Sequence, residues 1–391
     1  MFFQIKSKPR DFVVEEVLWK WVPSWKWDFL YVFFEKENLT TMDIIDVLTK
    51  NLHLRRDELG IAWLKDKAWI TRQWISISKK SLYDIWWEEF FIQNLWKKVK
   101  VLAKSYGECW LKVASNIWNN FRIRLRARQE ISEEIKKQVN NNVEKINERW
   151  FPNCFGMQRF GKGKKNFYDA KNRLQKLAGE LKEKRNLKEL DMPYHLRFLL
   201  QAYPSMYFNE YVLNRWERWL FLLQWDVLVD RFNSNWVRTA VYDSQKIYEF
   251  DYIALKKENS DSNFFEPSIS DKSGEFDTSK WFPTWIMLWR NLLLPLHWTK
   301  ARIRDDQLIE LAEFDEWMQQ VCRIYNLRWI RRVLFVKVSE LKFEWDNDDI
   351  KLEFFLPTWC YATTLVSFIL QWIDYLTLKD NSLLIPRILE N

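Results

Sequence analysis

The chain opens on β-type patterning. Residues 5–16 read IKSKPRDFVVEE, and the apolar run that follows Pro9 and the charges predicts a strand starting at Phe12. Residues 29–34, FLYVFF, predict a second strand, entered from the aromatic stretch 19–31, which reads as a hairpin loop. The period then changes. Ile44, Ile45, Val47, Leu48 and Leu52 recur at helical spacing behind a capping threonine, Thr40 or Thr41, which predicts a helix over 40–54. Residues 61–74 read IAWLKDKAWITRQW. A short apolar run stops abruptly at Lys65-Asp66-Lys67, and a second run leads into Thr71, Arg72 and Gln73. This pattern predicts a buried strand end that delivers one carboxylate between two cations, then a turn into another strand.

Beyond it, residues 98–104 and 110–126 are strand-like. Residues 121–126 alternate apolar groups with Arg122, Arg124 and Arg126. Such a face could track phosphates, but a solvated outer face is the commoner reason for the pattern. Residues 129–147 predict a charged helix with Ile131, Ile135 and Val139 on its apolar side. Residues 195–225 and 305–326 predict helices, and 226–231, 333–338 and 350–355 predict strands. The polar, Ser- and Asp-rich stretch 256–280 predicts a flexible surface excursion.

Composition narrows the chemistry. At 391 residues the chain has room for two domains and a sizeable core. No apolar stretch approaches the roughly 20 residues of a membrane span, and residues 1–12 lack the apolar core of a secretory leader. Both points predict a cytoplasmic protein that contacts no membrane. Cys109, Cys154, Cys322 and Cys360 are scattered without a C-x-x-C pair, which argues against a disulfide framework and a zinc site. His53, His195 and His297 are far apart, so a histidine metal site or triad is not expected.

The net charge of +8 favours a polyanionic partner. Between residues 159 and 185 ten Lys/Arg face three acids, the strongest electrostatic footprint in the chain. Gly156 to Lys162 form G-x-x-x-x-G-K, the opening of a phosphate-cradling loop. Gly163 stands where the magnesium-binding hydroxyl is needed, and no buried strand precedes the motif, so its context is missing.

Four motifs together carry a resemblance. The segment K-x-x-P-x-D-F-x-V-x-E runs from Lys6 to Glu16. A-x-L-K-D-K-x-x-x-T-x-Q runs from Ala62 to Gln73. P-N-C-F-G-x-Q-R-F-G runs from Pro152 to Gly161, and L-P-T-W-C-Y-A-T from Leu356 to Thr363. In this order they resemble the TruD family of tRNA pseudouridine synthases, over nearly the whole chain. Cys154 replaces the usual Tyr of the third motif, and Trp63 and Trp359 replace Gly in the second and fourth.

The resemblance implies an α+β chain: a pseudouridine synthase fold with a curved mixed/antiparallel sheet, plus an inserted α+β TruD-type domain. A discontinuous catalytic domain would cover 1–170 and 328–391, with an inserted TruD-type domain over 171–327. It implies uridine in tRNA, at position 13, as substrate and Asp66 as the catalytic nucleophile. Lys6, Phe12, Lys65, Asn153, Phe155 and Tyr361 would line the substrate site. Tyr361 would sit beside the target base, and Thr363 could cap the following helix. No cofactor or metal is implied, and no protein partner beyond a monomer. A rival reading is a catalytically silent RNA-binding protein of the same fold, its site crowded by Trp63, Trp69 and Trp359. A nucleotide hydrolase built on Gly156–Lys162 is a distant third.

One feature of composition stands outside this picture. The chain has 26 Trp and 7 Gly, where a typical share of about 7% Gly would give roughly 27. At Trp25, Trp27, Trp63, Trp118, Trp150, Trp225 and Trp359 the motif or the local turn chemistry asks for Gly. A gene whose UGA codons the cell reads as glycine, translated with UGA as tryptophan, would print this sequence.

Overall fold

The computed structural model describes residues 2–18, 28–62, 65, 69–84, 88–96, 99–112, 116–148, 150–184, 192–218, 222–223, 226–230, 238–243, 246–251, 264–265, 273–275, 281–286, 292–293, 299–325, 327 and 331–371. The chain divides into two compact units. One is Met1–Arg149 with Lys337–Cys360; the other is Trp150–Val336 with the segment that begins at Tyr361.

The first unit is built on a nine-stranded mixed sheet. Its main order is Ser339–Asp346, Asp349–Pro357, Asn116–Ala127, Phe12–Leu18, Ile70–Ser78, Phe29–Lys36 and Lys100–Gly107. Phe3–Ile5 adds to Asn116–Ala127, and Leu59–Ile61 adds to Ile70–Ser78. Every pairing is antiparallel except that of Phe12–Leu18 with Ile70–Ser78, where Val13 lies opposite Ile70. That parallel pair sets the two segments carrying the first two motifs side by side.

The expected helix is Thr41–Leu52. Thr40 is its N-cap: its hydroxyl accepts from the Asp43 N–H, and the Asp43 carboxylate accepts from the Thr40 N–H. Ile44, Ile45, Leu48 and Leu52 face Leu30, Val32, Phe34, Ile75 and Ile77 in one buried cluster, which explains their spacing. Helices Lys79–Asp84 and Glu88–Trp96, which no pattern above predicts, close the same core through Leu82, Phe91 and Leu95. The hairpin loop read over 19–27 lies outside the described residues.

The charged helix is Glu133–Glu148. The arginines of Asn116–Ala127 are not an open track. Arg122 lies beside Glu15, Arg124 pairs with Asp346 and Asp349, and Arg126 grips Asp11 through two nitrogens at 2.7 Å.

The second unit holds a six-stranded sheet, ordered Ser273–Glu275, Lys246–Asp251, Arg238–Asp243, Val227–Asp230, Trp281–Ile286 and Arg331–Val333. Phe151–Pro152 pairs separately with Phe335–Val336. Helix Ala202–Glu217 is buried nearly all round, its Ser205, Asn209, Glu210 and Arg215 included, so no solvated polar face marks it. Phe167, on the basic helix Lys165–Lys184, stacks on its Tyr203.

Three expectations change here. The helix over 305–326 is two helices, Lys300–Leu311 and Glu316–Ile324, broken where Glu313 turns left-handed and Asp315 caps the second through the Met318 N–H. Residues 281–286, within the stretch 281–289 that resembles a glycine-and-proline turn region of the family's inserted domain, form a strand between Val227–Asp230 and Arg331–Val333. Thr363 lies inside the helix Ala362–Ile369, whose N-cap is Tyr361, so it caps nothing. Most of 256–280 lies outside the described residues; Phe264–Phe265 and Ser273–Glu275 form short strands within it.

Candidate active site

Asp66 itself lies outside the described residues, but Lys65 before it is held on every side. Its N–H donates to the Thr41 hydroxyl at 2.8 Å, and its carbonyl accepts from the Thr41 N–H at 3.3 Å. The Thr41 hydroxyl in turn donates to the Gln73 carbonyl oxygen at 3.0 Å. The Lys65 ammonium donates to Asn119 Oδ1 at 2.6 Å and lies 3.4 Å from Glu16 Oε1.

Glu16 is 3% exposed, and its other oxygen accepts from the Trp74 N–H at 3.3 Å. Burial pushes its carboxyl above the ordinary range, against the opposing pull of Lys65, that hydrogen bond and Lys36. The Lys65 side chain is thus turned into the fold, only 11% exposed.

Lys6 and Phe12 also meet in this unit. The Lys6 ammonium lies 4.4 Å from the Phe12 ring centre and 4.1 Å from that of Trp69. Lys6 sits at φ 65°, in the left-handed region. For a residue other than Gly this is uncommon and costs of order 1–3 kcal/mol. Strain of this kind clusters at functional sites.

The second unit gathers Asn153, Phe155 and Tyr361 around one buried guanidinium, that of Arg332. Arg332 donates to Asn153 Oδ1 at 2.8 Å and to the Asn153 carbonyl at 3.2 Å. It lies 4.0 Å from the Phe155 ring centre and 5.8 Å from that of Tyr361. The Asn153 amide nitrogen donates to the Val333 carbonyl at 3.0 Å, so both ends of that amide are oriented. Phe155 is 1% exposed; its N–H and C=O are both taken by the Asn209 side chain, at 2.7 and 3.0 Å. Arg159 lies 5.2 Å from the same ring.

Sequence reasoning missed Glu16, Asn209 and Arg332 as contributors. The available signal was a polar residue inside an apolar run, since a buried polar group needs a partner.

Around Gly156–Lys162 there is no nucleotide loop. Phe151–Pro152 is too short a strand, Met157–Phe160 is a single turn of helix, and Gly161 leaves it at φ 70°. Cys154 is buried, and burial raises its thiol well above the ordinary value. Among the described residues no cluster of His, Cys, Asp or Glu could hold a metal, and no helix is long and apolar enough to cross a membrane.

The comparisons with known proteins point to one family. The model of tRNA pseudouridine synthase D (TruD) matches residues 1–169. The chain is 27% identical to tRNA pseudouridine synthase D of Thermus thermophilus over 365 residues, covering 93% of this chain and 87% of that one. It is 26% identical to the Shewanella oneidensis protein of the same name over 377 residues, covering 96% and 87%.

By these matches the chain is similar to the TruD family.

The match to the Sulfurimonas denitrificans relative, 31% identical over 219 residues, spans 55% of either chain. A TruD fold is seen directly in a Methanosarcina mazei protein provisionally assigned as tRNA pseudouridine synthase D. It matches with a TM-score of 0.58 at 17% identity, over 95% of this chain and 94% of that one. The mixed sheet and helices agree with that α+β TruD architecture.

Proposed function

We propose that this chain is a tRNA pseudouridine synthase, an isomerase that converts uridine to pseudouridine, at position 13 of tRNA, with Asp66 as nucleophile. The observation that carries the reading is the setting of Lys65. Three side chains from three elements, Thr41, Asn119 and Glu16, hold the residue before Asp66, as a site that must place one atom accurately requires.

The isomerisation moves the glycosidic bond of uridine from ring nitrogen to ring carbon C5. Asp66 attacks the nucleoside, the N-glycosidic bond breaks, the base turns and rejoins through C5, the bond to Asp66 breaks to release the carboxylate, and the C5 hydrogen leaves as a proton. The target base has to leave its stack to be reached. Unpaired bases are read by stacking and by hydrogen bonds to their edges. The oriented Asn153 amide and the aromatic pair Phe155 and Tyr361 offer those chemistries, and Lys6 over Phe12 supplies positive charge. The overall change needs no oxidant, reductant or group donor, so no cofactor enters the scheme. The enzyme acts as a monomer in the cytoplasm.

Tritium released from tRNA labelled at uridine C5 tests the reading. Wild type should release it and Asp66→Asn should not, while both bind tRNA equally. Release by Asp66→Asn removes Asp66 from the chemistry. Binding without release by the wild type favours the silent RNA-binding alternative.

A further inference from the structure

We propose that Glu16 is a positioning residue that acts through Lys65 on the nucleophile. The inference rests on Asp66 being that nucleophile. Lys65 is pinned by its main chain to Thr41 at the start of helix Thr41–Leu52, and by its ammonium to Asn119 and Glu16 on two neighbouring strands. Of these partners, Glu16 alone carries the opposite charge. Its Oε1 is buried without a well-formed hydrogen bond, and its closest opposite charge is the Lys65 ammonium. A buried carboxylate held in that way is costly unless the cation stays in place. The pair therefore penalises any displacement of Lys65, and Lys65 is bonded directly to Asp66.

The parallel pairing of Phe12–Leu18 with Ile70–Ser78 gives the device its geometry. Glu16 reaches from one strand to the Trp74 N–H of the other and to the Lys65 ammonium, so one carboxylate ties that strand to the residue before Asp66. The Glu16 carboxylate touches no reacting atom in this scheme. It limits the freedom of the main chain that presents one.

Glu16→Gln keeps the shape and removes the charge. It should lower kcat about 10- to 100-fold with KM for tRNA unchanged, the range expected for misplacing a catalytic group. In a Lys65→Met background the same change should add nothing to the loss, since the link it acts through is gone. Amide exchange at Lys65 should also quicken in Glu16→Gln. Wild-type kcat in Glu16→Gln, equal losses in both backgrounds, or unchanged exchange at Lys65 would each overturn the proposal.

Should Glu16→Gln fold poorly, the apolar pair Glu16→Met with Lys65→Met restores a satisfied interior. That double variant should show the low kcat of Lys65→Met, and full activity in it would contradict the device. The exchange readout needs no turnover, so a wild type without pseudouridine formation would reject the functional reading and still leave the clamp to be judged.

A separate observation carries a second inference. Pro357, Thr358, Trp359 and Cys360 form a tight turn, with the Cys360 N–H donating to the Pro357 carbonyl at 3.3 Å. Its third residue, Trp359, sits at φ 75° and is 42% exposed. A turn with positive φ at that position is one that glycine occupies. Trp359 is the one tryptophan among the described residues held there; Trp118 and Trp150 are not left-handed, and Trp25, Trp27, Trp63 and Trp225 lie outside the described residues.

Together with 26 Trp against 7 Gly, this turn leads us to infer that Trp359, and with it most of the tryptophans, is glycine in the protein the cell makes, through UGA decoded as glycine. Lys6 keeps the face of Phe12 if Trp69 is among them. The codon at Trp359 and the intact mass of natively expressed protein decide it. UGA and a mass lowered by many indole side chains support the inference. UGG there, or a mass matching 26 Trp, overturns it.

Discussion

The two units bury charge with different residues, and the choice sets how each can respond to pH. In the first, the buried pair beside the candidate nucleophile is Lys65 with Glu16. Both can change protonation, and burial has already moved Glu16 toward its neutral form. In the second unit the buried cations are arginines. Arg215 is fully buried and bonds Asp226 through two nitrogens, at 2.7 and 3.1 Å. Arg332 braces Asn153 and two aromatic rings. A guanidinium keeps its proton throughout, and its planar fork fixes direction as well as charge. The comparison predicts buried charge that titrates in the first unit and buried charge that does not in the second.

The largest effect expected in breaking that comparison comes from Asp226→Asn. It strands Arg215 as a buried cation with no means of discharge, and Arg304, 3.6 Å from Asp226, loses its partner as well. Removing one member of such a pair costs about 3–5 kcal/mol. The loss, read from denaturant melts, should stay nearly constant across the neutral pH range.

Lys65→Met strands Glu16 in the same way, yet Glu16 can take up a proton. The cost should be about 2–3 kcal/mol on the alkaline side and shrink on acidification. The sign follows from the raised Glu16 carboxyl. The native state binds the proton more tightly than the unfolded chain, so this group's contribution falls as pH rises from the ordinary carboxylate value through the raised one. A pH-independent cost for Lys65→Met would erase the contrast between the units.

Arg332→Lys sharpens it from the other side. Charge remains, but the fork that orients Asn153 and covers Phe155 is lost. A destabilisation of about 1–2 kcal/mol should accompany a clear rise in KM for tRNA.

The smallest effect on stability is expected at the surface. Reversing Lys162, Lys164 and Lys165 to Glu should change stability by no more than about 0.5 kcal/mol, while weakening tRNA binding and flattening its dependence on salt. Lys165 already pairs with Asp169 in the protein, so Lys162 should carry more of that change than Lys165. An unchanged salt slope would show that the run faces away from the RNA.

Much of the first unit was legible in the chain because its strands and its first helix each bury one regular face. Thr40, Ile44, Ile45 and Leu48 announce their helix, and Phe121, Ile123 and Leu125 their strand. The second unit was less legible. Helix Ala202–Glu217 is enclosed by other elements, so periodicity does not mark its boundary, and the break at Glu313 depends on one left-handed residue that no local motif demands. The roles of Glu16 and Arg332 were hidden for another reason. A Glu within VVEEV and an Arg within RRV look like solvated residues on strands, and only the pairing register turns them inward. The motif residues, Glu16 among them, were visible through resemblance; what Glu16 does, and that Arg332 and Asn209 hold the others, were visible only in three dimensions.

The most direct test of the account is to map pseudouridine at single-nucleotide resolution in tRNA treated with the purified protein, beside the Asp66→Asn variant at matched tRNA occupancy. The account predicts conversion of a single uridine, at position 13, by the wild type and none by Asp66→Asn. Conversion by Asp66→Asn, or fully bound tRNA left unmodified by the wild type, would contradict it.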